Sequence, residues 1–188
     1  MTVNKKTEIK DVQPIRSLEK IEDMKWSLKK WCGERDYIMF LIGINTGLRI
    51  GDLLKFKVVD IKGKKRVVIY EGKTKKKREI NLSNIYDELN AYINTLGNTK
   101  WLFPSRKGDN AISTTQAYRQ FVKAAEMVDI ESVGLHTCRK TFGFWFYKKE
   151  KDIAKLQYIL NHDKPSTTLL YIGITQEEVD DSLSTFLL

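Results

Sequence analysis

The sequence predicts a mainly α-helical protein with a small antiparallel β-sheet, that is, an α+β fold in one domain. Two observations support this prediction. First, residues 58–82 contain short runs of β-branched residues separated by lysine-rich connectors, and such runs are typical of strands. Elsewhere apolar residues recur at helical spacing, first at Leu18, Ile21, Met24, Leu28 and Trp31.

Capping residues and glycines divide the first part of the chain into helices. Ser17 is placed to cap the first helix, and Gly33 ends it. The next helix, from about Glu34, is apolar on all sides, which predicts that it is the buried central helix. Gly47 is placed to end this helix in a left-handed conformation, and a short helix is expected from Ile50.

The later elements follow from the same kinds of signal. The runs 58–61, 66–70 and 78–82 predict two or three strands with lysines in the turns between them. We expect residues 1–14 to form a flexible tail and residues 15–188 to form one domain, whose last helix, at about 175–188, is acidic and amphipathic. Further helices are predicted to begin near Ser83, Ser113, His136, Asp152 and Pro165.

The positive charge of the chain is concentrated in one short segment. The whole sequence has a net charge of +9 and a pI of about 9.4. Eleven Lys and Arg residues lie between Lys55 and Arg78 against only Asp60 and Glu71, so this segment accounts for the net charge. It is typical of a surface that binds a polyanion, and it is also compatible with a solubilising loop. The residues predicted to face the polyanion are Lys64, Lys65, Lys75, Lys76, Lys77 and Arg78.

The composition excludes several classes of protein. Hydrophobic residues make up 41% of the chain and charged residues 30%, as in globular rather than disordered proteins. No apolar run approaches the roughly 20 residues that span a bilayer, and the N-terminus lacks the apolar core of a signal peptide. We therefore expect a cytoplasmic, nucleoid-associated protein with no membrane partner. Cys32 and Cys138 show no metal-ligand spacing and are expected to be reduced interior residues.

Residues 135–171 contain both histidines of the chain, His136 and His162, together with Arg139 and Tyr171. His136 and Arg139 are three residues apart, so they can share one face of a helix. Arginine offers a planar fork that fits phosphate oxygens, and histidine can move a proton near neutral pH. Taken singly, each of these residues is more often structural than catalytic.

Taken together, these residues predict a site that binds a phosphate and attacks it with a phenol. A tyrosine hydroxyl has a pKa of about 10 and becomes a useful nucleophile when fixed positive charges stabilise the phenolate and the transition state. Arg49, at the junction of two helices, is a further candidate, although an ordinary surface arginine is equally compatible with this position. The sequence contains no paired carboxylates around the histidines and no Gly-rich P-loop, so we expect neither a metal nor another cofactor.

Four separated segments resemble the motifs of the tyrosine recombinases, also called the phage integrase family. Residues 46–54 (TGLRIGDLL) resemble the first arginine motif, and residues 72–82 resemble the hairpin that carries the catalytic lysine. Residues 135–142 (LHTCRKTF) resemble the motif with the histidine and second arginine, and residues 160–171 resemble the final motif. The segments follow the order of the family. The resemblance therefore implies the catalytic-domain fold of that family.

The resemblance implies a role for each matching residue in cutting and rejoining DNA. Tyr171 would attack the scissile phosphate and form a 3′-phosphotyrosyl link, while Arg49 and Arg139 would clamp the non-bridging oxygens. Lys73 would protonate the departing 5′-oxygen. Because the covalent link keeps the energy of the broken bond, the strands would be rejoined without metal or ATP.

The same resemblance assigns supporting roles to further residues. His136 would assist proton transfer at the tyrosine, and His162 would donate a hydrogen bond to the phosphate. Asp52 would buttress the site, although a plain carboxylate on a helix surface is equally compatible with its position. Where the family commonly has Gly, Leu and His, this sequence has Asn161, Cys138 and Lys140.

The resemblance also bears on partners and domain organisation. It implies double-stranded DNA as the partner, assembly as a homotetramer on DNA, and accessory DNA-bending proteins. The last helix is compatible with packing on its own domain or, as in many family members, on a neighbouring copy. Most relatives carry an N-terminal domain that clamps DNA, whereas we expect none in this chain, as in a short recombinase similar to the fimbrial-switch invertases or in a catalytic fragment. Two other activities of this fold stay open, a catalytically silent DNA-binding regulator and a type IB topoisomerase.

Overall fold

The computed structural model describes residues 12–173, 180, 183, 184, 186 and 187, so the predicted tail and the predicted last helix lie largely outside the described residues. The mainly helical α+β fold predicted from the sequence is confirmed. No helix among the described residues is long and apolar enough to cross a membrane. The elements are α1 (Leu18–Trp31), α2 (Glu34–Thr46), α3 (Ile50–Leu53), α4 (Val58–Ile61), β1 (Arg66–Tyr70), β2 (Lys77–Asn81), a 3-10 turn (Ser83–Ile85), α5 (Tyr86–Thr95), α6 (Thr114–Glu126), α7 (Thr137–Glu150), α8 (Ile153–Leu160) and α9 (Pro165–Ile172).

Helix α2 lies at the centre of the fold. Its residues Ile38, Met39, Phe40 and Ile42 are completely buried, and α1 and α7 pack against it. Phe40 meets Phe121 of α6 edge-on, with the ring centroids 6.1 Å apart. Burial on all faces explains why α2 has no polar stripe in the sequence, and it confirms the prediction of a buried central helix.

Side-chain caps begin α1, α6 and α8 where the sequence predicts them. Ser17 and Asp152 accept backbone hydrogen bonds as the N-caps of α1 and α8. Ser113 forms a reciprocal capping box with Gln116 at the start of α6. The start near Ser83 differs, because this residue begins the 3-10 turn that leads into α5.

The sheet is a hairpin of two antiparallel strands, in which Val67 of β1 lies opposite Ile80 of β2. Both side chains face the core, and the lysine-rich segment 71–76 joins the strands. The additional strand predicted at 58–61 is wrong, because these residues form the short helix α4. One helical turn brings Ile61 into the core, and a four-residue β-branched run does not distinguish such a turn from a strand.

Helices α7, α8 and α9 enclose a small second cluster beside the main core. Leu156, Leu160 and Ile172 are buried between them. Gly143 of α7 faces α9, since a Cβ at this position would lie in ordinary contact, 3.4 Å, with the Cβ of Tyr171. The helix that carries Tyr171 is therefore seated directly on α7.

The residues before α1 run across α7 towards the end of α9. The Ile15 N–H donates to Thr141 Oγ1 at 2.9 Å, and the Ile15 carbonyl accepts a hydrogen bond from Trp145 Nε1 at 2.9 Å. Arg16 Nη2 donates to the carbonyl of Gly173, just beyond α9, at 2.9 Å. These bonds join the start of the described chain to the end of the tyrosine-bearing helix.

Candidate active site

One open cleft brings together most of the residues that the sequence singles out. It has a volume of about 440 Å³ and lies between α3, the turn of the hairpin, the start of α7, and α9. Asp52, Lys55 and Thr167 contribute polar groups to its wall. Five of the six predicted catalytic residues line it, namely Arg49, Lys73, His136, His162 and Tyr171.

Arg49 is held at the junction of α2 and α3. Gly47 ends α2 in the left-handed conformation that the sequence predicts (φ +63°), and a Cβ there would come within 2.5 Å of the Phe142 ring. Arg49 itself is extended and precedes α3 as its N-cap residue. Its Nη1 lies 2.9 Å from Glu71 Oε2, and 18% of its side chain remains exposed. Arg49 is therefore a fixed cation at the edge of the cleft.

Lys73 lies in the turn of the hairpin, between β1 and β2. The turn is anchored at the preceding residue, because the Gly72 N–H donates to Asp52 Oδ1 at 2.8 Å. A Cβ at Gly72 would lie 2.2 Å from Lys55 Nζ and 3.0 Å from Asp52 Oδ1, so the exposed end of Lys55 would have to move aside for a side chain there. Asp52 is buried and supports the turn from within, so it is not a plain surface carboxylate.

Arg139 is completely buried and is not part of the cleft lining. Its Nη1 donates to the Gly47 carbonyl at 2.8 Å, and its Nη2 donates to the Leu160 carbonyl at 2.5 Å. Nη2 also lies 3.1 Å from His162 Nε2. Only its Nε lacks a hydrogen-bond partner among the residues that the structure describes. These bonds tie the end of α2 to the end of α8, and they occupy donors that a phosphate would need.

His162 lies between Arg139 and Tyr171. Because Arg139 donates to Nε2, this nitrogen is the acceptor, and Nδ1–H donates to Thr168 Oγ1 at 3.0 Å. Burial, together with the charges of Arg139 and Arg49, lowers the pKa of His162 to about 4, so the ring is neutral at pH 7. The His162 and Tyr171 ring centroids are 4.8 Å apart.

His136 is the N-cap residue of α7, and its side chain is exposed in the cleft. Partial burial and the charges of Arg139 and Arg49 lower the pKa of His136, which favours the neutral imidazole. A neutral imidazole can accept a proton. His136 precedes α7 as its cap residue and lines the cleft, whereas Arg139 is buried in α7, so their three-residue spacing does not bring both side chains into the cleft.

Glu71, which the sequence analysis does not single out, lies at the centre of the cations. Its side chain is completely buried, and Oε2 accepts hydrogen bonds from Arg49 Nη1 at 2.9 Å and from Thr74 Oγ1 at 2.7 Å. Its Oε1 lies 3.5 Å from Arg78 Nη1 and 3.9 Å from Arg139 Nη1. Burial alone raises the pKa of this carboxyl, but the hydrogen bonds from Thr74 and Arg49 and the neighbouring positive charges outweigh it and hold the pKa below its usual value.

Arg78 is a buried cation, so the prediction that it faces a polyanion is wrong. It is 7% exposed and donates hydrogen bonds to Glu71 Oε1 and to the Thr46 carbonyl. Side chains along β2 alternate between exposed and buried, and this period of two would have placed Arg78 on the buried face. For Glu71 the only sequence signal is that it is the one acidic residue in the segment that joins the strands.

The predicted polyanion-facing lysines lie around the hairpin. Lys76 differs from the others, because its Nζ forms an ion pair with Asp163, which links the hairpin turn to the segment before α9. Lys64, Lys65, Lys75 and Lys77 are exposed, although Lys64 Nζ also donates to the Val59 carbonyl and Lys65 Nζ lies over the Tyr86 ring.

Two departures from the family pattern fit their local geometry. Asn161 ends α8 in the left-handed conformation (φ +53°), which glycine adopts most readily and asparagine adopts next. Cys138 faces Gly43 of α2, where a Cβ would lie 2.8 Å from the Cys138 Cβ, so α2 and α7 meet at two small residues. No group of His, Cys, Asp and Glu that could hold a metal ion occurs in the described part of the chain.

Comparison with known proteins assigns this chain to a family. Residues 18–178 match the model of the phage integrase family. The chain belongs to that family. It is 46% identical over 168 residues to a probable integrase/recombinase, YoeC, of Bacillus subtilis (strain 168), a match that covers 88% of this chain and 92% of the relative. A tyrosine recombinase of Pseudothermotoga lettingae is 30% identical over 159 residues, which cover 82% of this chain and 54% of the relative.

Solved structures of two recombinases and one integrase share the fold. The XerA recombinase has a TM-score of 0.76 at 21% identity and is matched over 92% of this chain and 63% of the other. The XerH recombinase in its post-cleavage complex with difH has a TM-score of 0.74 at 23% identity, over 90% of this chain and 51% of the other. A lambda integrase dimer bound to a COC′ core site has a TM-score of 0.70 at 17% identity, over 91% and 62%.

These matches confirm the predicted family, the predicted fold and the predicted enzyme class, a tyrosine-type recombinase. The chain spans nearly the whole Bacillus relative, but it spans about half the length of the Pseudothermotoga recombinase. The roles of the individual site residues remain predictions.

Proposed function

We propose that the chain is a site-specific DNA recombinase that cuts and rejoins DNA through a 3′-phosphotyrosyl intermediate, without a metal ion or ATP. The observation that carries this proposal is the cleft, where Tyr171, Arg49, Lys73, His136 and His162 surround one space. A phosphodiester in this space would meet a phenol and several fixed donors, which is the arrangement that phosphoryl transfer needs. The names of the relatives and the DNA complexes of XerH and lambda integrase support the proposal.

In the proposed step, Tyr171 Oη attacks the phosphorus, and the bond between phosphorus and the 5′-oxygen breaks. The phenolic proton passes to the neutral His136, and Lys73 supplies a proton to the leaving 5′-oxygen. Arg49 stabilises the charge on the non-bridging oxygens. One P–O bond replaces another, so the reverse reaction rejoins the strands without a further energy source.

Arg139 has to rearrange before it can join Arg49 on the phosphate. Its guanidinium is bonded to the carbonyls of Gly47 and Leu160 and to His162 Nε2. A phosphate that binds at the cleft would displace His162 from the guanidinium, and His162 would then donate to a phosphate oxygen once Nε2 carries a proton. We therefore assign the described conformation to the state before DNA binds.

A nicked duplex in the presence of EDTA tests this proposal. Duplexes are selected by binding from a random-sequence pool and then prepared with a nick at each position in turn. Cleavage next to a nick releases a short end that diffuses away, so the covalent adduct accumulates. We expect an adduct with the wild type, none with Tyr171→Phe, and a normal amount with Tyr158→Phe. Tyr158 is the matched control, because it is 83% exposed on α8 and is not part of the cleft lining.

The same experiment separates the other activities of this fold. DNA binding without an adduct on any substrate would contradict the proposal and would indicate a silent DNA-binding regulator. Relaxation of supercoiled DNA that lacks a selected site would indicate a type IB topoisomerase instead.

The proposed function extends to partners. Recombination between two duplexes requires four strand cleavages, so we propose a homotetramer on double-stranded DNA, assisted by DNA-bending proteins. The exposed lysines around the hairpin support contact with the DNA backbone. Sedimentation of the protein with a selected duplex should give a species with four chains, and only monomers on DNA would contradict this.

A further inference from the structure

We propose that Glu71 is a positioning residue, which orients Arg49, Arg139 and the turn that carries Lys73 (the lysine turn) for the attack of Tyr171 on the phosphate. This inference rests on the proposed recombinase function. Glu71 is completely buried, yet it is bonded to groups from separate parts of the chain. These groups are Arg49 at the α2–α3 junction, Arg139 on α7, and Thr74 in the turn that carries Lys73.

The two carboxylate oxygens of Glu71 serve different partners. Oε2 is bonded to Arg49 Nη1 and Thr74 Oγ1, at 2.9 and 2.7 Å. Oε1 faces Arg78 Nη1 at 3.5 Å and Arg139 Nη1 at 3.9 Å. A rotation of the carboxylate would disrupt both sets at once, and the side chain is completely buried, where unpaired polar groups are costly. The carboxylate therefore connects Arg49, through a hydrogen bond, with Arg139, through a longer ion pair.

The backbone of Glu71 also closes the turn that carries Lys73. Its N–H donates to the Lys76 carbonyl at 3.0 Å, and its carbonyl accepts a hydrogen bond from the Lys75 N–H at 2.8 Å. The side chain then holds the middle of the turn through Thr74. The position of Lys73 relative to Arg49 thus depends directly on this one residue.

The net charge of Glu71 and its three neighbouring arginines is complementary to the negative charge of the phosphate. Arg49, Arg78 and Arg139 contribute three positive charges against the one negative charge of Glu71, which leaves an excess of two positive charges. A phosphodiester carries a charge of about −1, and its transition state approaches about −2 as the attacking and leaving oxygens share the phosphorus. Arg78 offsets the carboxylate, so Arg49 and Arg139 keep their charges for the phosphate.

Repulsion among the arginines shows why the carboxylate is needed. Burial and then the charges of Arg49 and Arg78 lower the pKa of Arg139, whereas Glu71 acts in the opposite direction. Without the carboxylate, three guanidinium groups would face one another in a buried space. We expect them to move apart, and the phosphate would then meet a misaligned clamp.

The test compares Glu71→Gln with Glu79→Gln in single-turnover adduct formation on the nicked duplex. Glu79 is the matched control, because it lies in the same hairpin but pairs with Arg66 on the surface. We expect Glu71→Gln to slow the reaction roughly 10²-fold without weakening DNA binding, and Glu79→Gln to stay within about twofold of the wild type. Equal rates for the two variants would overturn the proposal.

A methylphosphonate at the scissile position separates positioning from general damage. This group lacks one negative charge, so its reaction depends less on the arginines, and the defect of Glu71→Gln should shrink to roughly tenfold or less. A merely structural role of Glu71 would impair both substrates equally, and that result would also overturn the proposal.

A second readout does not depend on catalysis. The guanidinium ¹⁵N signals of Arg49 and Arg139 should show slow rotation in the wild type and in Glu79→Gln, and fast rotation in Glu71→Gln. If the wild type forms no adduct but these signals respond, the recombinase proposal fails while the positioning by Glu71 stands. Unchanged signals would overturn the positioning itself.

A milder variant keeps the test decisive if Glu71→Gln does not fold. Thr74→Val removes a single hydrogen bond from a turn residue, so we expect adduct formation on the normal phosphate to slow by about fivefold and on the methylphosphonate by less. A Thr74→Val rate equal to that of the wild type on both substrates would overturn the link between Glu71 and the lysine turn.

Discussion

The Nη2 atom of Arg139 lies 3.1 Å from Nε2 of His162, so the second arginine of the site is bonded to a histidine and turned away from the open cleft. This contact requires a neutral His162 with its proton on Nδ1, where Thr168 accepts it. Two groups that the phosphate would need are thus held against each other before DNA binds. In the proposed mechanism, binding of the DNA phosphate has to separate Arg139 from His162.

The lowered pKa of His162 predicts that the protein loses stability on mild acidification. Between about pH 6.5 and 4 the unfolded chain binds a proton at this residue and the folded chain does not, so unfolding is favoured as the pH falls. The contribution is complete above this window and disappears as the pH falls through it. From the upper to the lower limit, the free energy of urea unfolding should fall by roughly 2 kcal/mol more in the wild type than in His162→Asn. An NMR titration midpoint for His162 at or above 6.5 would contradict the proposed contact.

Replacement of Arg139 by Ala should raise the pKa of His162. The variant removes a positive charge that lowers this pKa and also removes the donor to Nε2. It leaves the buried carbonyls of Gly47 and Leu160 without their donor, so the free energy of unfolding should fall by about 2–4 kcal/mol. The ring titration and urea unfolding measure the two effects, and an unchanged pKa would argue against the geometry.

The lysines of the hairpin turn should contribute unequally to DNA binding. Lys75 and Lys77 are exposed, whereas Lys76 is paired with Asp163. Replacement of Lys75 or Lys77 by Gln should reduce the slope of log affinity against log salt by about 0.9 for each phosphate that the protein no longer neutralises, and Lys76→Gln should reduce it less. Fluorescence anisotropy with a short random-sequence duplex gives these slopes. Asp163→Asn should tighten binding, and three equal slopes would show that the ion pair does not limit Lys76.

The left-handed conformation of Asn161 predicts opposite effects of two small substitutions. Asn161→Ala should lower the free energy of unfolding by about 1 kcal/mol, because alanine adopts this conformation at a cost. Asn161→Gly should be neutral or stabilising, because glycine adopts it freely and Nδ2 is buried without a hydrogen-bond partner among the described residues. Thermal unfolding of both variants distinguishes them, and equal midpoints would rule out strain at the end of α8.

Signals that act within a few residues were sufficient to predict much of the fold. The caps at Ser17 and Ser113 and the left-handed glycine at Gly47 each depend on neighbouring residues, and each was predicted correctly. The run at 58–61 was predicted as a strand because β-branched residues favour strands, but the packing of Ile61 into the core decided for a helical turn. In so short a run, tertiary contacts outweigh the intrinsic preference of the residues for a strand.

The site was predicted less completely, because its decisive contacts join distant residues. Glu71 is separated by 22 residues from Arg49, so its ion pair with that arginine leaves no local pattern in the sequence. In the sequence, Glu71 only lowers the net positive charge of the basic segment by one. Arg139 was predicted as an open phosphate ligand, but its partners lie on α2 and α8 and became visible only in the fold. The residue type alone does not tell whether an arginine lines a cleft or is buried beside it.

The proposed covalent bond between Tyr171 and the 3′-phosphate of cleaved DNA can be located in the adduct itself. Mass spectrometry of the protease- and nuclease-trimmed adduct should find the nucleotide on the peptide that contains Tyr171, and a kinase should label a free 5′-hydroxyl on the released strand. A nucleotide on another residue such as Tyr158, or a released strand that ends in a 5′-phosphate, would contradict the account.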